Sequence, residues 1–554
     1  MAALLLRILT IFGAATLLGS VGVCVGILVA QVPRGPVDGQ PLWPTESLQI
    51  SLLHTIWMAV TATFAALLIS LPATIGISIG RPRGRRIITA ITVLPLVTMP
   101  SVYAYATLLI TNSNFEMLRR ATDAIGWNRP EFAPMHAGLV LAWWLWPIPA
   151  LLLAAAYRHA GAPAYRLASL DASPVKAFLR GALPPMRESL LAAAAAVFIL
   201  AAIDSTVPPF MAAARVWGVE LMADAREASS TARPGAYLFF RAWPLVAVVM
   251  LIGIVVLQGA KRMADWGGTS SDADTGRDTP LARRAFYTAA ALAFLAATLP
   301  IWIYAFSMFD GRYGFLESFS SAWTSGQRAI GSSVIVALVA AACTVAIAIA
   351  LLDDPRWPSW TRMIRTFAVV LIVMVALFPP AVISTALIAF FSSAKISPSD
   401  RWNLYDNTPA AWVAAMICRY AFLPVLVAKF ANRRIPDELP GQAATDGAGR
   451  WMSLLHARLP RLWMPILAAG LLVAGLSLNE VPASSQLQPA QWGGGSIAVW
   501  TDDQMHFGRH NRTTALALMM MTPGLAAVTM LMLSARRWRT STRANANCTP
   551  DNPG

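Results

Sequence analysis

The sequence predicts an all-α integral membrane protein, and three observations carry that expectation. Of 554 residues, 56% are hydrophobic and only 13% charged, a balance that no single water-soluble core could bury. Twelve stretches, near 4–30, 51–79, 87–110, 137–157, 189–205, 237–260, 285–308, 329–352, 366–391, 409–428, 464–479 and 514–534, are each apolar over a run close to the roughly 20 residues that a helix needs to cross about 30 Å of hydrocarbon. Finally, the formal charge of +15 is unevenly distributed between alternate loops. With the N-terminus in the cytoplasm, 28 of the 43 basic residues fall on the inside, 14 fall outside, and Arg419 stands within a span. That bias follows the positive-inside rule and puts both termini in the cytoplasm, so the charge calls for a bilayer and for no nucleic acid.

The first stretch holds only Arg7 ahead of its main apolar run, which is longer than the apolar part of a secretory signal, so it is expected to persist as a membrane helix. Cys24, Cys343 and Cys418 fall inside predicted helices and Cys548 in the polar tail, a pattern with neither a disulfide framework nor a metal-binding pair.

Residues 263–283 are rich in Gly, Ser, Thr and Asp with no apolar periodicity, and read as a flexible cytoplasmic linker. It separates an N-terminal half, 1–262, from a C-terminal half, 284–554, with six predicted helices in each. Landmarks recur between the halves. Leu183-Pro184 corresponds to Leu459-Pro460 and Asp204 to Glu480 at one and the same offset, and Met99-Pro100-Ser101-Val102 corresponds to Pro379-Pro380-Ala381-Val382 at an offset only slightly longer. Each acid precedes a Val-Pro pair, Val207-Pro208 and Val481-Pro482. Several ordered coincidences at nearly one offset point to a duplicated parallel repeat.

The inside loop before the fifth helix of each half carries the functional expectation. It reads Leu170-Asp-Ala-Ser-Pro-Val-Lys-Ala-Phe-Leu-Arg-Gly-Ala-Leu-Pro184 in the first half and Ala443-Ala-Thr-Asp-Gly-Ala-Gly-Arg-Trp-Met-Ser-Leu-Leu-His-Ala-Arg-Leu-Pro460 in the second. Small residues allow close approach to a partner and proline ends a helix, so each loop is expected to be a short helix on the membrane surface, stopped by its proline. Both resemble the Glu-Ala-Ala loop of ABC importer permeases. Counting back from Pro460 aligns Gly447 with the family glycine, Ala443 with its second alanine and Gly441 with its glutamate; counting back from Pro184 aligns Asp171 with the glycine and Tyr165 with the glutamate. Both copies therefore depart from the consensus acid, while Ala172-Ser173-Pro174 and Phe178 match a common family wording.

The resemblance implies a type I ABC importer permease fold of about 12 membrane helices in two homologous six-helix halves, in the bacterial inner membrane. It also implies that each loop seats one ATPase subunit, through Leu170, Asp171, Ala172, Ser173, Pro174, Phe178, Leu183 and Pro184 in one half and Ala443, Ala444, Gly447, Ala448, Leu459 and Pro460 in the other. The chain has no phosphate-cradling Gly-x-x-x-x-Gly-Lys-Ser/Thr loop of its own, so the expected partners are two ABC ATPase subunits and a periplasmic solute-binding protein, with no cofactor and no catalytic residue in this chain.

Asp204-Ser-Thr-Val-Pro208 is similar to the Asp-Phe-Gly-Val-Pro wording of the tandem permeases that import ferric iron, Glu480-Val-Pro-Ala483 to their Glu-Leu-Pro-Ala, and Ser496-Ile-Ala-Val-Trp500 to a further run of the same family. Thiamine and polyamine permeases share much of this wording. Asp204, Pro208, Glu480, Pro482 and Arg419 are candidates for the translocation pathway, since charge near a membrane helix must face protein or water. The competing reading makes each acid a cap for the irregular backbone after it, and Arg419 a structural counter-ion.

His506 and His510, with Asp502 and Asp503, have the composition of a metal cluster, but nothing marks the loop as helical and no metal ligation is expected there. His54, His136, His159 and His456 are scattered, and Trp143, Trp144 and Trp146 read as packing or interface anchors. The rival architecture is a twelve-helix facilitator-type secondary transporter, suggested by the basic run Gly80-Arg-Pro-Arg-Gly-Arg-Arg86. The second-half counterpart of that run is Asp353-Asp-Pro-Arg-Trp, and a facilitator would leave the two Leu-Pro loops without a role. A membrane scaffold or signalling protein would need a large soluble domain, and no segment of this sequence reads as one.

Overall fold

In the computed structural model of the chain, the large apolar side chains of the second helix point outward. Trp57 and Phe64 are 60% and 66% exposed, and Leu53, Val60, Leu68, Leu71 and Ile75 continue their stripe at spacings of three and four, while Met58, Ala59, Ala62, Ala66 and Ala73 are buried. A helix in water does the reverse. Large side chains outside and small ones inside are what a helix needs when its surroundings are lipid and its neighbours must approach closely.

The structure describes residues 2–31, 46–79, 82–112, 120, 130–211, 215–228, 234–265, 280–309, 314–352, 357–393, 404–433, 435, 438–489, 494–507, 511–520, 526 and 529–530, and among these there is no strand. Eight helices in that set are long and apolar enough to cross a membrane, or eleven if each of three bent pairs is one span. The protein is a multi-pass, all-α membrane protein.

In the N-terminal half, α1 runs over Ala2–Leu17 and Val23–Gln31 with a π-turn at Leu18–Gly22. It is followed by α2 (Glu46–Ile79), α3 (Pro82–Val93), α4 (Pro100–Asn112), α5 (Ala133–Leu145), α6 (Pro147–Ala156), α7 (Ala162–Ala168), α8 (Leu183–Ala202), α9 (Trp217–Ala228) and α10 (Pro234–Asp265). The C-terminal half contains α11 (Pro280–Phe309), α12 (Phe315–Ala350), α13 (Ser359–Ala376), α14 (Pro380–Ser393), α15 (Ala410–Tyr420), α16 (Phe422–Arg433), α17 (Glu438–Thr445), α18 (Leu459–Leu478), α19 (Pro482–Leu487) and α20 (Ile497–His506).

Three of the twelve predicted stretches are bent pairs, α3 with α4 by 84°, α5 with α6 by 52° and α15 with α16 by 41°. Proline explains the breaks: Pro95, Pro147 and Pro149, and Pro424 each remove a ladder donor and crowd the carbonyl four residues back. The stretch 366–391 likewise divides at Pro379-Pro380 into α13 and α14, and 514–534 is described only in part. The expected linker shrinks at both ends. Met263–Asp265 complete α10 and Pro280 opens α11, so only 266–279, outside the described residues, separates those helices.

The first helix of each half packs on the second helix of the other. Helix α1 lies along α12, so closely that a Cβ on Gly13 would clash with the carbonyl oxygen of Ala346. Helix α11 lies along α2, where a Cβ on Gly76 would fall 3.5 Å from that of Ala289. Within the halves, α2 packs on α5, α6 and α8, and α12 packs on α15, α16 and α18. Pro300 inside α11 frees the carbonyl of Ala296, and the indole Nε1 of Trp143 donates to it at 2.7 Å.

Candidate functional site

The two Leu-Pro loops follow one backbone course. In the first half the helical turn Pro174–Ala177 leads into a π-turn at Phe178–Ala182 and then into α8 at Leu183; in the second, Arg450–Ser453 leads into a π-turn at Leu454–Arg458 and then into α18 at Leu459. Every one of these boundaries recurs at the offset that separates Pro184 from Pro460, as does the helix end, Ala202 and Leu478. Even the opening bond is shared, Ala177 N–H donating to the Ser173 carbonyl at 2.8 Å and Ser453 N–H to that of Gly449 at 2.9 Å.

One expectation about these loops changes. Pro184 and Pro460 do not stop a surface helix; each lies in the first turn of the following span, where a missing N–H costs nothing. The ladder that reaches them widens into the π-turn instead, because proline supplies no i→i+4 donor. Gly447 has φ +76°, which a side chain would strain. It closes α17 with the 6→1 bond of a Schellman turn, Ala448 N–H donating to the Ala443 carbonyl at 2.9 Å, just after the last α-helical bond, Asp446 N–H to the Gln442 carbonyl at 3.0 Å. Asp171, the first-half counterpart, lies in a turn after α7 with its N–H directed at the Ala168 carbonyl at 3.4 Å. Around it Leu167 and Leu170 are 71% and 79% exposed, and Ser173, Phe178 and Pro184 also reach the surface or part of it. The second loop is tied down further: Trp451 packs edge-on against Trp357, beneath Arg7 at 5.9 Å.

At the far ends of α8 and α18, each acid holds the turn that follows. Asp204 accepts from Val207 N–H at 2.9 Å, Thr206 N–H at 3.1 Å and the Thr206 hydroxyl at 2.8 Å, which sets up the short 3-10 turn Pro208–Met211. Glu480 accepts from Ala483 N–H at 3.4 Å at the entry to α19. In both cases a carboxylate takes an amide three residues ahead, Val207 N–H just before the 3-10 turn and Ala483 N–H, an orphan donor, in the first turn of α19, and Pro208 and Pro482 occupy the first position, where no donor is needed.

Glu480 does more. Arg419 Nε lies 3.3 Å from its Oε2, and the hydroxyl of Tyr420 donates to the same oxygen. The Arg419 and Glu480 side chains are 16% and 5% exposed. Asp204 is near enough for its charge to interact with both. Arg419 and Tyr420 end α15 at the bend into α16, so the ion pair ties a proline-kinked helix to the turn after α18. The first half has Trp143-Trp144 at the corresponding place, and Trp144 donates to the Thr98 carbonyl at 2.9 Å. One half thus fills this position with charge and the other with indole. Trp146 is fully buried.

A second ion pair escapes the sequence reading. Arg241 Nε is 2.5 Å from Asp224 Oδ2, with side chains 21% and 8% exposed, and the guanidinium lies over the Tyr237 ring at 5.6 Å. The charge distribution assigns Arg241 to an outside loop, yet it lies within the apolar span Tyr237–Ile254, so Arg419 is not alone in being inside a span. The signal was an arginine in the apolar run 237–260, with the acid of the amphipathic segment before it in reach.

The expected loop around His506 is also corrected, since Asp502, Asp503 and His506 all belong to α20. His506 Nε2 approaches Asp502 Oδ2 at 3.5 Å and its ring stacks on Phe210 at 4.8 Å. Burial pushes the Asp502 carboxyl up to about 6, against the opposing pull of His506. His510 lies outside the described residues, and no group of three potential metal ligands occurs among those described.

No family model, curated protein or solved structure matches this chain.

Proposed function

We propose that this chain is the membrane-spanning permease of an ATP-driven ABC importer, with hydrolysis on two separate ATPase subunits and the solute delivered by a periplasmic binding protein. The observation that carries this reading is the recurrence, at one constant offset, of the same course of helical turn, π-turn, Leu-Pro and long span. Two copies of one loop on one chain suit two copies of one partner. The exposed leucines Leu167, Leu170 and Leu179 around the first copy are the kind of apolar surface that a protein partner covers. The exchange of first helices between halves fits one interlocked body that two subunits would grip from the cytoplasmic side of a bacterial inner membrane.

For the solute, the proposal is ferric iron, supported by the wording of Asp204–Pro208 and Glu480–Ala483; thiamine or a polyamine is the alternative. Co-purification of the chain with its ATPase, followed by uptake into liposomes, tests the reading. ATP-dependent uptake that falls in Gly447→Asp or Pro460→Ala, with the protein still folded, supports it. Uptake driven by a proton gradient with no ATPase present overturns it. A ferric-binding or a thiamine-binding protein encoded beside the gene decides between the solutes.

A further inference from the structure

The basic run Gly80–Arg86 has no part in the proposed function, yet the fold gives its last three residues, Gly84–Arg86, a specific setting. Three elements meet there. A Cβ on Gly84 would fall 2.5 Å from Phe286 Cζ, and one on Gly76 would fall 2.8 Å from Ile88 Cδ1 and 3.5 Å from Ala289 Cβ, so two glycines press α3 against both α2 and α11. The contact joins segments that are distant in sequence and lie on opposite sides of the 266–279 segment. It brings Arg85 and Arg86, next to Gly84, to the same corner as Arg284, which shortly precedes Phe286.

The level of this corner is set by the apolar windows on either side. One span ends at Ser78, the window that begins at Gly84 has Arg85 and Arg86 in its first turn, and another span begins at Phe286 just after Arg284, so the corner stands at the edge of the hydrocarbon, where arginines reach the headgroups. Arg284 is exposed, Tyr287 is 64% exposed with its ring edge-on to Phe286, and Ile87 of α3 is 59% exposed. A cationic cluster, an amphipathic aromatic ring and an apolar side chain directed out of the fold match, in turn, the phosphate, the interface and the acyl chain of a lipid. The corresponding second-half loop opens with Asp353-Asp354, so the same run of arginines is not repeated there.

We propose that the junction of α2, α3 and α11 is a binding site for the headgroup of an anionic phospholipid, engaged by Arg85, Arg86 and Arg284 beside Tyr287. The site is independent of which solute the chain carries and of whether an ATPase drives it.

Native mass spectrometry of the full-length chain, released from detergent containing equimolar phosphatidylglycerol and phosphatidylcholine, tests the site. Retention of phosphatidylglycerol over phosphatidylcholine is expected, falling about five-fold in Arg284→Gln and about 100-fold in the triple variant Arg85→Gln/Arg86→Gln/Arg284→Gln. The same loss of charge elsewhere, in Lys176→Gln/Arg180→Gln/Arg187→Gln, should leave the preference intact. The proposal is overturned if Arg284→Gln, folded by its melting temperature, keeps the full preference, or if the Lys176 control loses as much. Displacement of the lipid by inorganic phosphate would mean that the corner reads free phosphate and would equally overturn it.

Discussion

Arg419 Nε lies 3.3 Å from Glu480 Oε2, and the pair holds the bend between α15 and α16 to the turn that follows α18. Both charges are largely withdrawn from solvent, so each relies on the other. Glu480→Leu or Arg419→Leu alone leaves an uncompensated buried charge and should cost about 3–5 kcal/mol, whereas Arg419→Leu/Glu480→Leu together should recover most of it. Thermal unfolding of the four proteins in one detergent, treated as a double-mutant cycle, measures this; additive losses would show that the pair is not coupled.

Asp204 acts through hydrogen bonds to its own chain. Asp204→Ala removes the acceptor for Thr206 and Val207 and should cost about 1–2 kcal/mol, with amide exchange at Thr206 and Val207 speeding up. Asp204→Asn retains an acceptor and should lose less than half as much. Equal losses would point to the charge of Asp204 rather than to its cap.

Two glycines near the second Leu-Pro loop should respond in opposite directions. Gly447 has φ +76°, and Gly447→Ala should destabilise the end of α17 by about 1 kcal/mol. Gly441 lies inside α17, where an added methyl group would meet no atom within 4 Å, so Gly441→Ala should stabilise that helix by up to about 1 kcal/mol. Melting temperatures, with exchange protection along 438–445, report both signs.

Helix α20 should respond to pH through Asp502. Its carboxyl titrates near 6 when folded, above its ordinary range, so between about pH 4 and 6 the folded state binds a proton that the unfolded state has lost. The stability of α20 should therefore be greatest at the acid end of that window and decline as pH rises through it. Amide exchange over 497–506 at pH 5 and pH 7 checks the direction, and Asp502→Asn should flatten the dependence. Faster exchange at pH 5 than at pH 7, after correction for the intrinsic rate, would contradict it.

Much of the bundle was legible because apolar run length is a local property. Ten of the twelve stretches correspond to single spans or bent pairs, an eleventh divides into a span and a shorter helix at Pro379-Pro380, and the bends fall at prolines visible in the sequence, such as Pro147, Pro149 and Pro424. The acids were legible too, from Asp204 and Glu480 recurring before Val-Pro. Their partners were not: Tyr420 and Arg419 reach Glu480 only because α15 and α18 converge, and Asp224 meets Arg241 only because α9 turns back onto α10. The helix at 497–506 was missed because it is short and polar, and its periodicity is too weak to distinguish it from a loop.

The sequence by itself determined that the chain resides in a bilayer, that it contains two Leu-Pro loops in matching places of its two halves, and that an acid follows each fifth span. These depend on composition and spacing, which residues carry with them whatever they touch. Only the tertiary structure decided that first helices are exchanged between halves, that Pro184 and Pro460 open spans, and that Arg419 closes on Glu480 while Trp143 fills the matching place. Those outcomes depend on which faces can approach closely, as Gly13 against Ala346 and Gly76 against Ala289 show, and on which buried charges find a partner once they do.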